Sequence, residues 1–131
     1  MPTGDLETSR MKEGIELNAA SRIEHILSAV ARDIRHIFES KLRRIILFGS
    51  FARGDNNSES DIDIMVLADI ADDETPLYQK KINQIASAVS LENDITVSIS
   101  LRDASLFVFR AEFHPFYRNV LTEGVEVYAA K

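Results

Sequence analysis

Residues 49–63 read GSFARGDNNSESDID, and this stretch decides most of what the chain reveals about its fold. An apolar run rich in β-branched residues, RIILF, precedes it at 44–48, and a second run, DIDIMVL, starts within it at 61–67. Such short runs bounded by turn-forming residues are typical of buried strands. Because side chains alternate along a strand, Asp61 and Asp63 are expected on one face, side by side.

The residue types at the two ends of this stretch suit nucleotide and metal chemistry. Gly49 at a strand end lets a phosphate approach the backbone, and Ser50 adds a hydroxyl donor. Asp61 and Asp63 carry adjacent negative charges, which are costly unless a cation lies between them. Mg²⁺ suits this position because it joins one or two carboxylates with substrate phosphates. A Gly-Ser pair or an Asp-x-Asp alone is more often an ordinary turn or a solvated face, but together they predict a triphosphate cradle beside a metal site.

The rest of the sequence predicts a mixed α/β domain around these two strands. Ser21 to Glu24 matches a capping box that opens an amphipathic helix, Thr75-Pro76 opens another helix, and Gly124 is expected as a C′ residue. Strands are expected near 43–48, 61–67, 94–101 and 125–128. Helices are expected at 21–40, 75–91 and, in two pieces broken near His114-Pro115, 103–123, with one helical turn at 50–53.

Length and composition bound the class of protein. A chain of 131 residues fits one domain, expected over 21–131, with residues 1–20 as a tail or short helix. The net charge of −6 argues against extensive nucleic-acid binding, since the basic trio of Lys41, Arg43 and Arg44 more simply flanks a strand. No apolar run reaches the roughly 18 residues of a membrane span, and no signal peptide is evident. A cytoplasmic protein is therefore expected.

The spacing of Gly49-Ser50, ten residues, and Asp61-Ile62-Asp63 resembles the signature of the polymerase-β-like nucleotidyltransferase superfamily. The stretch LFGSFARGDNNSESDIDIMV is similar to minimal nucleotidyltransferases, called MNT proteins, and FYRNVLTEGVEVY resembles the end of many short members. The likeness extends from about residue 21 to the end. It implies an α/β (α+β) nucleotidyltransferase fold, with a mixed twisted sheet of about four to five strands flanked by helices.

The resemblance also implies an activity and a set of site residues. Members transfer a nucleoside monophosphate from an NTP to a hydroxyl acceptor, with Mg²⁺ at a two-metal site. Gly49 and Ser50 would bind the β- and γ-phosphates, and Asp61 and Asp63 would ligate the metal as catalytic carboxylates. Arg53 is a candidate to neutralise triphosphate charge, or equally an exposed partner of Asp55 or Glu59.

A third carboxylate, which the superfamily carries on the next strand, has no clear counterpart. The best-aligned position is Thr96, which is no strong metal ligand. Asp94 lies two residues earlier, about 6 to 7 Å along a strand. It is retained as a candidate third catalytic carboxylate, and an ordinary position at the start of a strand is an equal alternative.

The resemblance suggests partners as well. Short MNT proteins act as antitoxins that transfer AMP, from ATP, to a HEPN-domain toxin, and this is the first hypothesis. The alternative is a weakly active or inactive MNT that neutralises a partner by contact. Modification of a small antibiotic is weaker, because such relatives carry an additional helical domain. Homo-oligomerisation is left open. Five aromatic residues are expected in the core or at an interface rather than as a base-stacking platform: Phe107, Phe109, Phe113, Phe116 and Tyr117.

Overall fold

A four-stranded mixed β-sheet forms the centre of the structure, a computed structural model that describes the backbone of residues 4–130 and the side chains of residues 21–130. The strand order is β3-β2-β1-β4, in which β1 pairs antiparallel with β2 and β4, and β2 pairs parallel with β3. The strands are β1 (Leu42–Phe48), β2 (Ile62–Ala68), β3 (Val97–Asp103) and β4 (Val125–Ala129). The expected mixed sheet flanked by helices is confirmed.

Helices cover both faces of this sheet. The first, third, fourth and fifth connect or flank the strands, and the second is a single turn directly after β1. Among residues 4–130, no helix combines the length and the apolar composition that crossing a bilayer requires. The helices are α1 (Gly4–Phe38), α2 (Ser50–Arg53), α3 (Thr75–Asn93), α4 (Ala104–Ala111) and α5 (Pro115–Glu123).

Side-chain alternation along β2 divides the core into two clusters. Ile62, Ile64 and Val66 belong to the larger one, with α1 and α3 on that face of the sheet. Met65 and Leu67 belong to the smaller one, which includes buried residues of α4 and α5 on the opposite face. Asp63 shares the face of Met65 by alternation. The predicted division of β2 into two faces is therefore confirmed, and it directs the Asp63 carboxylate to the α4–α5 side.

Several predicted helix boundaries are wrong. The α1 helix runs through Ser21, so this residue does not cap it, and Glu74 rather than Thr75 is the N-cap of α3. Gly124 follows α5 with φ −68°, outside the left-handed region that a C′ glycine normally occupies. A glycine is needed there because an added Cβ would overlap the carbonyl oxygen of Val120 and a methyl group of Ile46. The division at residue 20 stays a prediction, and residues 1–3 and 131 lie outside the described residues.

The basic trio at the start of β1 forms ion pairs with acidic residues of neighbouring elements. Lys41 Nζ donates to Glu74 Oε2 at 3.0 Å and Arg44 Nε donates to Glu126 Oε1 at 2.8 Å. The third residue, Arg43, donates to Asp69. These pairs connect β1 with β4 and with the segment after β2, and they connect the residue before β1 with the N-cap of α3. The trio therefore serves local structure, in agreement with its interpretation as a flank of the strand.

Candidate active site

The antiparallel register of β1 and β2 brings the Gly49 turn against Asp63. Phe48 is the register partner of Asp63, so the next residue, Gly49, lies beside the Asp63 side chain. Gly49 has φ 75° and ψ −156°, a region that is essentially restricted to glycine. An added Cβ at this position would overlap Oδ2 of Asp63. The glycine therefore meets two demands at once, an unusual backbone conformation and contact with a carboxylate.

The ten residues between the Gly-Ser pair and the two aspartates fold into a compact turn. The α2 turn ends at Gly54, which is left-handed at φ 79°, and the Asp55 N–H donates to the Ser50 carbonyl at 3.1 Å. The Glu59 N–H then donates to Oδ1 of Asn57 at 2.8 Å. The predicted single helical turn at 50–53 is confirmed. Its first backbone N–H groups have no partner within the helix, which leaves them able to bind an anion.

Asp61 and Asp63 lie at the start of β2 in different environments. Asp61 is exposed and Asp63 is half-buried. Burial raises the pKa of Asp63 above its usual value of 3.8, the Asp61 charge raises it further, and Arg53 opposes these effects. The charged form of Asp63 is therefore disfavoured in the free protein, and a cation beside the two carboxylates would relieve this cost.

This donor set fits a magnesium ion that is held mostly by substrate and water. Mg²⁺ takes oxygen ligands and is commonly bound by one or two protein carboxylates together with phosphates. Asp61 and Asp63 supply two such carboxylates. Within residues 21–130, no group of three or more His, Cys, Asp or Glu side chains is arranged to hold a metal ion by itself.

The strand beside Asp63 carries a serine at the register position of that aspartate. In the parallel pairing of β2 and β3, Asp63 is the register partner of Ser98. Thr96 lies just before β3, where its carbonyl accepts the Ile62 N–H at 2.9 Å. The alignment of Thr96 with the third-carboxylate position stays a prediction, and the strand expected at 94–101 starts at Val97. Ser98 was missed because register cannot be deduced from one strand alone.

Asp94 does not lie on β3. It is the C-cap of α3, in the left-handed conformation with φ 50°, and its side chain is exposed. It shares a cleft of about 390 Å³ with Asp61 and Thr96. Since no three-carboxylate group forms among the described side chains, the structure does not bring Asp94 together with Asp61 and Asp63. The interpretation of Asp94 as a residue at the start of a strand is also wrong, because it ends a helix.

Arg53 forms the ion pair with Asp55 that the sequence offered as one alternative, and its role toward a triphosphate stays a prediction. Its Nε donates to Oδ2 of Asp55 at 3.2 Å, so the exposed ion pair forms. Its charge also lowers the pKa of Asp63. The guanidinium is therefore close enough to act on the carboxylate site while it is held by Asp55.

The five aromatic residues divide between core and surface. Phe107 is buried and stacks on Tyr117 with ring centroids 4.6 Å apart. Phe109 and Phe113 are exposed, and their rings meet edge to face at 5.7 Å. Phe116 is partly exposed and contacts Phe48 at the end of β1. The core alternative is confirmed for Phe107, and Tyr117 packs against the same cluster. The interface alternative stays a prediction for the three exposed phenylalanines.

Comparison with known proteins identifies the family. A family model described as a nucleotidyltransferase domain matches residues 27–127. The chain belongs to the nucleotidyltransferase domain family. The match includes the Gly49 turn, Asp61, Asp63 and the strands β1, β2 and β3, and it ends within β4. The family that the sequence resembles is thus confirmed, and the chain is a nucleotidyltransferase by descent.

Two relatives from Methanocaldococcus jannaschii are similar to this nucleotidyltransferase. The protein named "Putative protein adenylyltransferase MJ0141" is 43% identical over 76 residues, which cover 58% of this chain and 75% of the relative. A second protein of the same designation, MJ0604, is 29% identical over 112 residues, covering 86% of this chain and 100% of the relative. Among solved structures, a mutant of the toxin–antitoxin MntA-HpeT matches with a TM-score of 0.52 and 20% identity, over 80% of this chain and 74% of that chain. This last likeness shows a shared fold.

Proposed function

We propose that this nucleotidyltransferase transfers AMP from ATP to a hydroxyl of a partner protein, with Mg²⁺ at Asp61 and Asp63. The observation that carries the proposal is the contact between the Gly49 backbone and the Asp63 carboxylate. This close approach supports a phosphate-binding turn next to the Asp63 carboxylate, with Asp61 two residues earlier in the chain. The names of the M. jannaschii relatives support a protein as the acceptor.

The chain's own residues bind and position the reacting groups. Gly49 and Ser50 hold the outer phosphates, Arg53 adds positive charge, and Asp61 and Asp63 hold the metal, which neutralises charge on the phosphates when bound. The acceptor hydroxyl oxygen then forms a bond to the α-phosphorus, the bond from this phosphorus to the β-phosphate oxygen breaks, and pyrophosphate leaves. The hydroxyl proton passes to solvent. Catalysis in such a site depends mainly on positioning and electrostatic stabilisation.

The proposed acceptor hydroxyl belongs to a partner protein, in keeping with the names of the M. jannaschii relatives. We propose a HEPN-domain toxin, with this chain as its antitoxin. The fold shared with the toxin–antitoxin MntA-HpeT is in keeping with this proposal. The three exposed phenylalanines of the α4–α5 region offer apolar area for protein contact.

Incubation with α-labelled ATP, Mg²⁺ and the product of the neighbouring gene tests the transfer. We expect label on the neighbouring protein, and loss of at least 100-fold of it in an Asp61→Asn, Asp63→Asn double variant, on the order of what removal of one key electrostatic group costs. An Asp73→Asn variant, which changes an exposed carboxylate in the connector after β2, serves as the matched control. Label that persists in the double variant would contradict the proposed site.

The second candidate function is neutralisation of a partner by contact, without transfer. It is favoured by Ser98, the register partner of Asp63, because a serine hydroxyl beside Asp63 brings no third negative charge to a metal there. This candidate predicts a stable complex with the neighbouring protein that carries no label. A Ser98→Asp variant would then gain transfer and a Mg²⁺-dependent rise in melting temperature, whereas Ser87→Asp on exposed α3 surface would gain neither.

A further inference from the structure

A pocket of about 200 Å³ lies next to the Gly49 turn, between the end of β1 and helix α5. Phe48, Gly49 and Arg53 line it from the strand and turn, and Phe116, Asn119 and Glu123 line it from the helix. None of the three α5 residues was among the candidate site residues from sequence. The pocket opens on the α4–α5 side of the sheet, which is the side that the Asp63 carboxylate faces.

Helix α5 presents these three side chains from one fixed face. Positions 116, 119 and 123 recur at helical spacing, so they lie along one stripe. Val120, on the same stripe, is only 2% exposed and packs in the smaller core cluster with Ile46. At the end of the helix, Gly124 approaches Ile46 and Val120 too closely for a side chain. The helix is therefore anchored on the sheet, and the pocket wall is preformed.

The lining combines an apolar wall with two polar groups of defined preference. The Phe48 and Phe116 rings meet edge to face with centroids 5.8 Å apart, which offers apolar surface to a planar ring. An asparagine amide pairs with the N6 amino group and N7 of adenine, and a carboxylate accepts from an exocyclic amino group. A keto oxygen in place of that amino group would face the Glu123 carboxylate. Because both groups only accept hydrogen bonds, no hydrogen bond would form between them. The pair Asn119 and Glu123 therefore fits a base with an amino group.

From this arrangement we propose that the pocket receives the nucleobase, and that Asn119 and Glu123 select adenine through its 6-amino group while Phe116 contacts the ring. The proposal rests on the proposed function, because it takes the phosphates to lie at Gly49 and Ser50. Gly49 and Arg53 border both the phosphate turn and the pocket. A nucleotide whose phosphates occupy the turn can thus extend its base toward α5.

Comparison of ATP with inosine triphosphate tests this selection. The two differ at position 6 of the purine, where inosine has a keto oxygen in place of the amino group, and at the adjacent N1, which carries a hydrogen in inosine. Titration calorimetry of the full chain with Mg²⁺ and each triphosphate measures the ratio of the two dissociation constants. We expect ATP to bind about tenfold or more tightly than inosine triphosphate, as a well-formed amide–adenine pair discriminates.

Two variants assign the selection to α5. Glu123→Gln and Asn119→Leu are expected to bring the ratio of dissociation constants to within about threefold of unity, since each removes part of the amino-specific set. Glu112→Gln, which changes an exposed acid between α4 and α5 that does not line the pocket, is expected to keep the wild-type ratio. Circular dichroism melting curves of all three establish that they fold.

The outcomes separate this proposal from the one on which it rests. Equal affinity of the wild type for ATP and inosine triphosphate, or an unchanged ratio in both folded α5 variants, overturns the base pocket while nucleotide binding stands. Binding of no triphosphate at all overturns the proposed function, and the base pocket with it. A preference for ATP that both variants lose, and that Glu112→Gln keeps, supports the assignment.

Discussion

At the residue scale, Gly49 combines an unusual backbone conformation with a close approach to the Asp63 carboxylate. We expect Gly49→Ala to lower the free energy of unfolding by about 1–3 kcal/mol through backbone strain alone, with overlap against Asp63 added to it. Chemical denaturation with urea measures the loss. Gly54→Ala is the control, because Gly54 is also left-handed but an added Cβ there meets open space. Equal losses at both glycines would show that contact with Asp63 carries no cost.

Asp63 itself is a carboxylate whose charge the fold disfavours. Since its pKa is raised in the folded state above 3.8, the folded protein retains this proton more strongly than the unfolded chain does. The contribution of the Asp63 carboxyl group to the stability of the fold is fully present below pH 3.8, and it is lost as pH rises through the raised pKa. Asp63→Asn avoids that loss, so we expect it to raise the melting temperature at pH 7 without Mg²⁺ and to leave it unchanged near pH 3.

Melting curves of both proteins across this pH range, without divalent cations, test the effect on Asp63. The exposed Asp73→Asn variant, measured in parallel, is expected to have the same melting temperature as the wild type at each of the two pH values. If Asp63→Asn melts at a lower temperature than the wild type at pH 7, the Asp63 carboxylate stabilises the fold, against the direction of its pKa.

At the scale of elements, Lys41, the residue before β1, pairs with Glu74, the N-cap of α3. The hydrogen bond from Lys41 lowers the pKa of Glu74 below 4.5, and the bonds to Glu74 and Tyr78 raise the pKa of Lys41 above 10.5. The contribution of Glu74 to the stability of the fold is present above pH 4.5, and it is lost as pH falls through the lowered pKa. The Lys41 contribution is present below pH 10.5 and is lost as pH rises through the raised pKa.

Glu74→Gln is therefore expected to lower the melting temperature slightly at pH 7 and to match the wild type at pH 3. Both side chains are partly exposed, so the effect is small and decreases with salt. Differential scanning calorimetry at the two pH values and at low and high ionic strength measures it. A difference between variant and wild type that is the same at pH 3 and pH 7 would assign the loss to packing rather than to charge.

At the scale of the whole molecule, the sheet is stabilised from two sides by clusters of unequal size. Phe107 is the large side chain of the smaller cluster and is 1% exposed. We expect Phe107→Ala to cost about 3–5 kcal/mol in unfolding free energy, because it removes a buried ring between α4 and the sheet. Phe109→Ala on the same helix, 64% exposed, is expected to cost about 1 kcal/mol or less. Similar costs for the two variants would show that α4 is not held through Phe107.

The elements that the sequence predicts well are those with a local cause. The strands β1 and β2 follow from two apolar runs, and the turn between them from Gly, Asp, Asn and Ser. The helix break before Pro115 follows from a residue that lacks an N–H. Boundaries set by neighbours were misjudged: β3 starts at Val97 because Asp94 turns left-handed to end α3, and Gly124 is required by Ile46 across the sheet.

By itself, the sequence determined the family, the two faces of β2 and the single helical turn after β1, since alternation and spacing are properties of one segment. Only the tertiary structure decided which residue neighbours Asp63 on β3, that Asp94 lies on a helix end, and that α5 borders the Gly49 turn. These relations depend on strand register and helix packing, which join segments far apart in the chain, and no local pattern encodes them. The contact between Gly49 and Asp63 depends on both the sequence and the tertiary structure. The sequence motif contains both residues, and the register of β1 with β2 brings them together.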